Sequence, residues 1–186
     1  MRSIIRIETP FKKEVAKQLK AGDTVHISGT VYAARDAAHK KLIALLNEGK
    51  DLPFNVRDQI IYYVGPCPAG PGRIIGSAGP TTSGRMDAYA PALIERGLAG
   101  MIGKGFRNEQ VVASMIKHGA VYFGATGGAG ALYAKCIIAE EITAFPELET
   151  EALRKLTVKD FPVIVIIDSL GVDLYRTGRE KYILIQ

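Results

Sequence analysis

Residues 59–87 read QIIYYVGPCPAGPGRIIGSAGPTTSGRMD, and the change of character along this stretch decides the fold class. Gln59 to Val64 is β-branched and aromatic, the composition of a strand. From Gly65 to Asp87 neither helical nor strand periodicity survives. Pro66, Pro68, Pro71 and Pro80 fix φ and remove donors, and the glycines between them let backbone segments approach closely. Ordering such a loop costs roughly 1 to 2 kcal/mol of backbone entropy per residue, less where proline has already narrowed the unfolded ensemble. Contacts or function must compensate, and long ordered loops are usually functional. Thr81, Thr82, Ser83, Arg85 and Asp87 close the loop just as an apolar helical pattern begins. Backbone N–H groups, hydroxyls and a guanidinium converging there suit an anion. A capped helix after a plain surface loop fits the same spacing.

Before the loop, Ile4, Ile5 and Ile7 predict a short strand ended by Thr9 and Pro10, and Phe11 to Leu19 a short helix. Thr24 to Ala34 reads as a second strand, with Gly29 marking a bulge or bend. Ala38, Leu42, Leu45 and Leu46 then recur at helical spacing until Asn47 and Gly49. A helix starting at Arg35 puts Arg35 and His39, four apart, on one face. His39 beside Lys40 and Lys41 also reads as an ordinary solvated histidine.

After the loop, the pattern predicts a helix over Met86 to Arg96 and a strand over Leu98 to Ile102. Lys104 stands between Gly103 and Gly105, free to reach an anion or to serve as a turn lysine. Glu109 to Lys117 reads as a helix and Ala120 to Gly124 as a strand. Gly124 to Gly130, GATGGAG, lacks the later acidic residue of a dinucleotide fingerprint, since Glu140 and Glu141 lie too close; it reads as a helix-packing or domain-contact turn. Thr150 to Leu156 is expected to be helical and Val163 to Ile167 a strand. A charged turn over Arg176 to Lys181 should precede a last strand, Tyr182 to Ile185. Partial alternation of strands and helices predicts a single α/β domain over residues 1–186 with mixed sheets.

The chain has 186 residues and a formal charge of +5, with a pI near 9.2. A domain of this size buries roughly 70% of its unfolded surface. Its lysines and arginines are interleaved with Glu and Asp, and no basic run carries interleaved aromatics, which argues against a nucleic-acid partner. The positive balance favours small anions through steering. Cys67 and Cys136 are far apart and form no paired ligand spacing, so no metal site is expected; both read as reduced structural thiols of an intracellular protein. The start, MRSIIRIETPFKKE, has no apolar core of signal-peptide length, and no run approaches the roughly 18 apolar residues of a membrane span. The expectation is a soluble, cytoplasmic chain with no membrane partner.

Three separated motifs carry a resemblance: SGTVYAARDAAHKK at 28–41, the loop from Gly65 to Asp87, and MIGKG at 101–105. Together they resemble the β subunit of class I fumarases and L-tartrate dehydratases, equivalent to the C-terminal domain of single-chain members. The resemblance implies a swivelling three-layer β/β/α domain with mixed sheets. It implies a hydro-lyase that reversibly hydrates fumarate to malate, with tartrate dehydration as the close rival. It also implies a [4Fe-4S] cluster held by a partner α subunit, and assembly as αβ pairs. This chain has two cysteines, whereas a cluster ordinarily needs three or four thiolates. Carried over by motif, Arg35, Arg85 and Lys104 bind the carboxylates of a dicarboxylate substrate. Thr81 matches the proposed proton-exchanging base, and His39 a histidine that is either catalytic or orients Arg35 or Asp36. A non-catalytic anion-binding module of the same fold is the alternative of a different class.

Overall fold

The computed structural model describes residues 4–180 and 182–183. Strand β1 (Ile5–Glu8) leads through helix α1 (Lys13–Ala16) to β2 (Thr24–Ala33), and α2 (Asp36–Asn47) returns the chain to β3 (Ile60–Tyr62). After the long loop come α3 (Ala90–Glu95), β4 (Gly100–Gly103), α4 (Glu109–His118) and β5 (Val121–Gly124). Helix α5 (Gly130–Cys136), β6 (Ile137–Ala144), β7 (Leu153–Ile167) and α6 (Leu174–Glu180) follow.

Strands β1 to β5 pair in chain order and in parallel, each step made by a crossover with a helix, as parallel neighbours require. The long β7 runs antiparallel to β5, to β2 and to β6 on different stretches. Because β7 reaches both β5 and β2, strands β2, β3, β4, β5 and β7 close into a barrel-like ring within one mixed sheet. Closure satisfies backbone groups that an open sheet would leave at an edge.

Successive residues of β3 serve two cores. Ile60, Tyr62 and Val64 join Val25, Ile27, Val31, Ile102, Phe123 and Phe161 in one cluster. Ile61 and Tyr63 point the other way, against Ala38 and Leu42 of α2, Leu93 and Ile94 of α3 and Met115 of α4. Alternation of side chains across a strand, with apolar contacts on both faces, is why residues 60–64 carry no polar position. Each such side chain contributes roughly 1.5–3 kcal/mol by its burial. The bulge expected at Gly29 is present: its φ is +104°, the pairing with β7 shifts register between Ile27 and Gly29, and a Cβ there would collide with Thr9 Oγ1.

The C-terminal third departs from the sequence expectation. Residues Thr150 to Leu156 do not form an α-helix; a 3₁₀ turn over Pro146–Glu151 gives way to β7 at Leu153. Glu151, Ala152, Leu153 and Arg154 are good or neutral helix formers, but further along the strand Leu156, Val158, Phe161, Val163 and Val165 are buried while Lys155, Lys159, Pro162 and Ile164 are exposed. That two-residue period slips once, at Asp160 (φ +47°), and strand pairing on both sides outweighs local propensity. Strand β6, rich in Ala and Glu, was not expected. Arg176 to Glu180 belong to helix α6 rather than a charged turn, while Lys181 lies outside the described residues. Tyr182 and Ile183 are not in a strand, and Leu184 and Ile185 of the expected last strand lie outside the described residues. The helix expected over Phe11 to Leu19 shortens to α1. The one expected over Met86 to Arg96 splits into a 3₁₀ turn, Ser83–Met86, and α3, which has Pro91 in its first turn, a position where proline's missing N–H costs nothing.

Candidate functional site

Arg35 follows β2, the loop Gly65–Asp87 follows β3, Lys104 follows β4 and the GATGGAG turn follows β5. These four parallel strands therefore deliver every motif of interest to one edge, their carboxyl ends, where α/β sheets bind ligands.

Arg35 is the N-cap of α2 rather than part of it, with extended φ/ψ of −133° and −154°. Its Nε donates to Asp36 Oδ2 at 3.1 Å and lies 3.5 Å from Glu151 Oε1. The other oxygen of Asp36 makes an ion pair with Arg85 Nε at 2.7 Å. One carboxylate thus joins two arginines 50 residues apart. The Asp36 carboxyl is held below its usual range: burial opposes this, but its own backbone N–H, the bond from Arg35 and the charges of Arg85 and Arg35 outweigh it. Gly65 is what lets Arg35 lie across the start of the loop, since a Cβ there would sit 2.9 Å from Arg35 Cδ and 3.3 Å from the Thr150 carbonyl.

The loop is ordered largely by its own and neighbouring backbone. Cys67 N–H donates to the Ser77 carbonyl, Gly76 N–H to the Cys67 carbonyl, and Tyr62 Oη–H to the Ala78 carbonyl at 2.6 Å. Thr81 N–H donates to the Tyr63 carbonyl at 2.8 Å and Ser83 N–H to the Lys104 carbonyl at 2.8 Å, so Thr82 and Lys104 form a parallel bridge. Thr81 is half-buried and Lys104 exposed, and the Lys104 ammonium lies over Gly127 of the GATGGAG turn, 3.6 Å from where a Cβ would stand. That turn packs as expected: Ala78 N–H donates to the Gly130 carbonyl, which seats α5 against the loop. Arg35 and Arg85 are thus tied together through Asp36, and Thr81 is tied to Lys104 through neighbouring backbone.

His39 is placed differently. It has no exposed surface, and its ring packs edge-on to Tyr63 and beside Tyr89. Its Nδ1 is 2.9 Å from the Arg35 carbonyl, an acceptor, so Nδ1 carries the proton, while Nε2 is buried without a partner. Burial first, and the charge of Arg107 after it, depress its pKa to about 4, against the opposing pull of the Arg35 carbonyl and Asp36. This corrects the solvated reading: the ring has no exposed surface and its Nδ1 is engaged by the Arg35 carbonyl.

Beneath the site lies a second cluster that the motifs did not announce. Arg107 Nε donates to Asp87 Oδ1 at 2.7 Å, its guanidinium stacks over Tyr63 and Tyr122, and Asp87 Oδ2 accepts the Asn108 N–H at 2.7 Å. Ser83 Oγ and Tyr122 Oη are 2.9 Å apart, and Tyr122 also donates to the Gly105 carbonyl. Asp36 could have been picked out as the neighbour of Arg35; Glu151, whose Oε2 accepts the Ala37 N–H across 114 residues, left no local signal.

Among the described residues no group of three His, Cys, Asp or Glu side chains could hold a metal ion, and no helix is long and apolar enough to cross a membrane. A groove of about 680 Å³ between the loop and α5, lined by Ile74, Ile75, Ala134 and Ile138, includes none of the five candidate residues.

A family model described as Fumarase C-terminus matches residues 2–178. The chain is 39% identical over 176 residues to "Fumarate hydratase class I, anaerobic" of Escherichia coli, covering 92% of this chain and 32% of that protein. It is 39% identical to "Fumarate hydratase 2" of Leishmania major, again over 92% of this chain and 31% of the relative. It therefore spans about a third of these relatives. Against "Putative L(+)-tartrate dehydratase subunit beta" of Methanocaldococcus jannaschii it is 36% identical, over 91% of this chain and 90% of that one.

Proposed function

Because this chain belongs to the fumarase C-terminus family, we propose that it is the β subunit of a hydro-lyase that adds water reversibly to fumarate, giving malate. The observation that carries the reading is the sharing of Asp36 by Arg35 and Arg85 on the edge that also presents Lys104. A dicarboxylate needs several cations from different directions. A guanidinium grips a carboxylate with paired N–H donors, and an ammonium adds a point charge. Arg35 and Arg85 bind the substrate's carboxylates and Lys104 closes the far side. Thr81, held beside Lys104 by the loop's backbone, exchanges the proton at the carbon next to the one that carries the hydroxyl. A threonine hydroxyl is a weak base, and a nearby ammonium lowers the cost of its oxyanion. His39 supports this set from below, through the Arg35 carbonyl.

A [4Fe-4S] cluster does not fit this chain's residues. Cys67 is exposed in the loop and Cys136 sits on α5, and two thiols fall short of the usual three or four. The cluster belongs to an α subunit, in αβ pairs, and supplies Lewis-acid chemistry there. In the three-layer β/β/α reading, this domain swivels to bring its cations over the substrate and shed water. The assembly is cytoplasmic.

The test is Arg85→Met in the assembly co-purified from the native host. We expect kcat/KM for fumarate to fall by about 10²-fold or more, the size of losing one preorganised charge contact, with the fold intact. Undiminished turnover refutes the carboxylate assignment. The 90% coverage of the tartrate dehydratase relative favours a second reading, L-tartrate dehydration to oxaloacetate. Tartrate turnover without fumarate turnover decides for it.

A further inference from the structure

Arg35 is held at several points. Its carbonyl accepts from both the backbone N–H of His39, at 2.9 Å, and the ring Nδ1–H, while its guanidinium meets Asp36 and Glu151. Arg85 stands on a single 3₁₀ turn, its side chain 51% exposed, with Asp36 Oδ1 against its Nε. Two guanidiniums within reach of one carboxylate repel each other, and nothing about a short turn with a long side chain fixes where the second one points.

We propose that Asp36 is a positioning residue: its carboxylate sets the spacing and direction of Arg35 and Arg85 before a dianion arrives. This rests on the dicarboxylate reading of the same site and adds a residue to it. Both contacts are made at Nε, and a guanidinium has five N–H donors in a rigid fork, so bracing through Nε leaves the terminal edge for an incoming carboxylate. Asp36 is itself fixed, in the first turn of the twelve-residue α2 and next to the anchored Arg35.

The inference makes a prediction opposite in sign to simple electrostatics. If Asp36 were only a competing anion, neutralising it would raise the positive charge at the site and tighten dianion binding. If it is a brace, neutralising it frees Arg85 and weakens binding. The experiment is calorimetric titration of the co-purified assembly with succinate, a four-carbon dicarboxylate with no double bond to hydrate, for wild type, Asp36→Asn, Arg85→Met and the double variant. We expect Asp36→Asn to weaken succinate about tenfold and to raise KM more than it lowers kcat. In the Arg85→Met background the further loss should largely vanish, because residues acting through one another are not additive. Asp36→Ser carries the same expectation should the Asn variant misfold. Asp36→Asn binding as tightly as wild type, or more tightly, overturns the inference while leaving the dicarboxylate reading standing. Wild-type assembly with no saturable succinate binding removes both.

Discussion

Arg85 and Asp87 are two residues apart and face opposite ways. Arg85 Nε meets Asp36 Oδ1 at 2.7 Å and Arg107 Nε meets Asp87 Oδ1 at the same 2.7 Å, yet the side chains are 51% and 28% exposed in the first pair and 0% and 10% in the second. The chemistry is alike and the surroundings are not. In the inner pair the loss of water is compensated by a full set of partners: two aromatic faces over the guanidinium and the Asn108 N–H on the carboxylate. The Arg107 pKa is raised, although burial alone would lower it, because Tyr63 and Asp87 stabilise the charge. In the outer pair water still reaches the ions, so the attraction is screened and the guanidinium keeps donors to offer. A salt bridge buried under aromatic rings ties the loop to the sheet; one that faces solvent is available for binding.

The comparison breaks most sharply through stability. Replacing Arg107 with Leu leaves Asp87 buried and uncompensated, and breaking such a pair costs about 3–5 kcal/mol. Urea unfolding should show that loss, whereas Arg85→Met should shift stability by less than about 1 kcal/mol, as exposed pairs do. Equal losses would erase the distinction between the two clusters.

A second effect concerns the histidine between them. His39 has a native pKa of about 4 against 6.5 when unfolded, so between these values the unfolded chain binds the proton and the native chain does not. The stability tied to its neutral ring is therefore complete above about pH 6.5 and is lost as pH falls toward 4, on the order of 3 kcal/mol over that window. His39→Asn keeps a donor near the Nδ1 position and removes the titration. Its unfolding free energy, measured between pH 7 and 4.5, should fall less steeply than that of wild type. Matching slopes would mean that the buried ring is not what titrates.

The smallest expected effect sharpens the inner cluster. Asn108 caps α4 by accepting the Val111 N–H at 2.9 Å while its own N–H serves Asp87. Asn108→Ala keeps the backbone contact and loses only the cap, so unfolding should report about 1 kcal/mol. A loss near that of Arg107→Leu would show that the side chain, not the backbone, holds the pair.

Much of the parallel half is legible in local sequence. The strand at 60–62, the bulge at Gly29, the helix ending at Gly119 and the loop with Thr81 and Arg85 all write themselves in local composition, because each is decided within a few residues. In the antiparallel half only the end of β7, the strand read at Val163 to Ile167, is legible in the same way. Residues 150–156 look helical locally, and the pairing partners of 153–156 lie at 31–33 and 140–144, so only closure of the ring overrules propensity. Site residues divide the same way. Arg35, Arg85 and Lys104 announced themselves as cations in glycine-flanked or loop positions, but Asp36 as the link between two of them, Glu151 on the helix start and the burial of His39 are matters of distance in space.

By itself, the order of residues determined an α/β chain, the long glycine- and proline-rich loop, and the set of cationic and hydroxyl side chains from which any anion site here is made, because those follow from local stereochemistry and charge. Only the tertiary structure decided that four strand ends share an edge, that β7 closes the ring, and that of two arginines, Arg107 lies under aromatic rings while Arg85 faces solvent. Burial is a property of everything that packs around a residue, and a sequence read locally does not contain it.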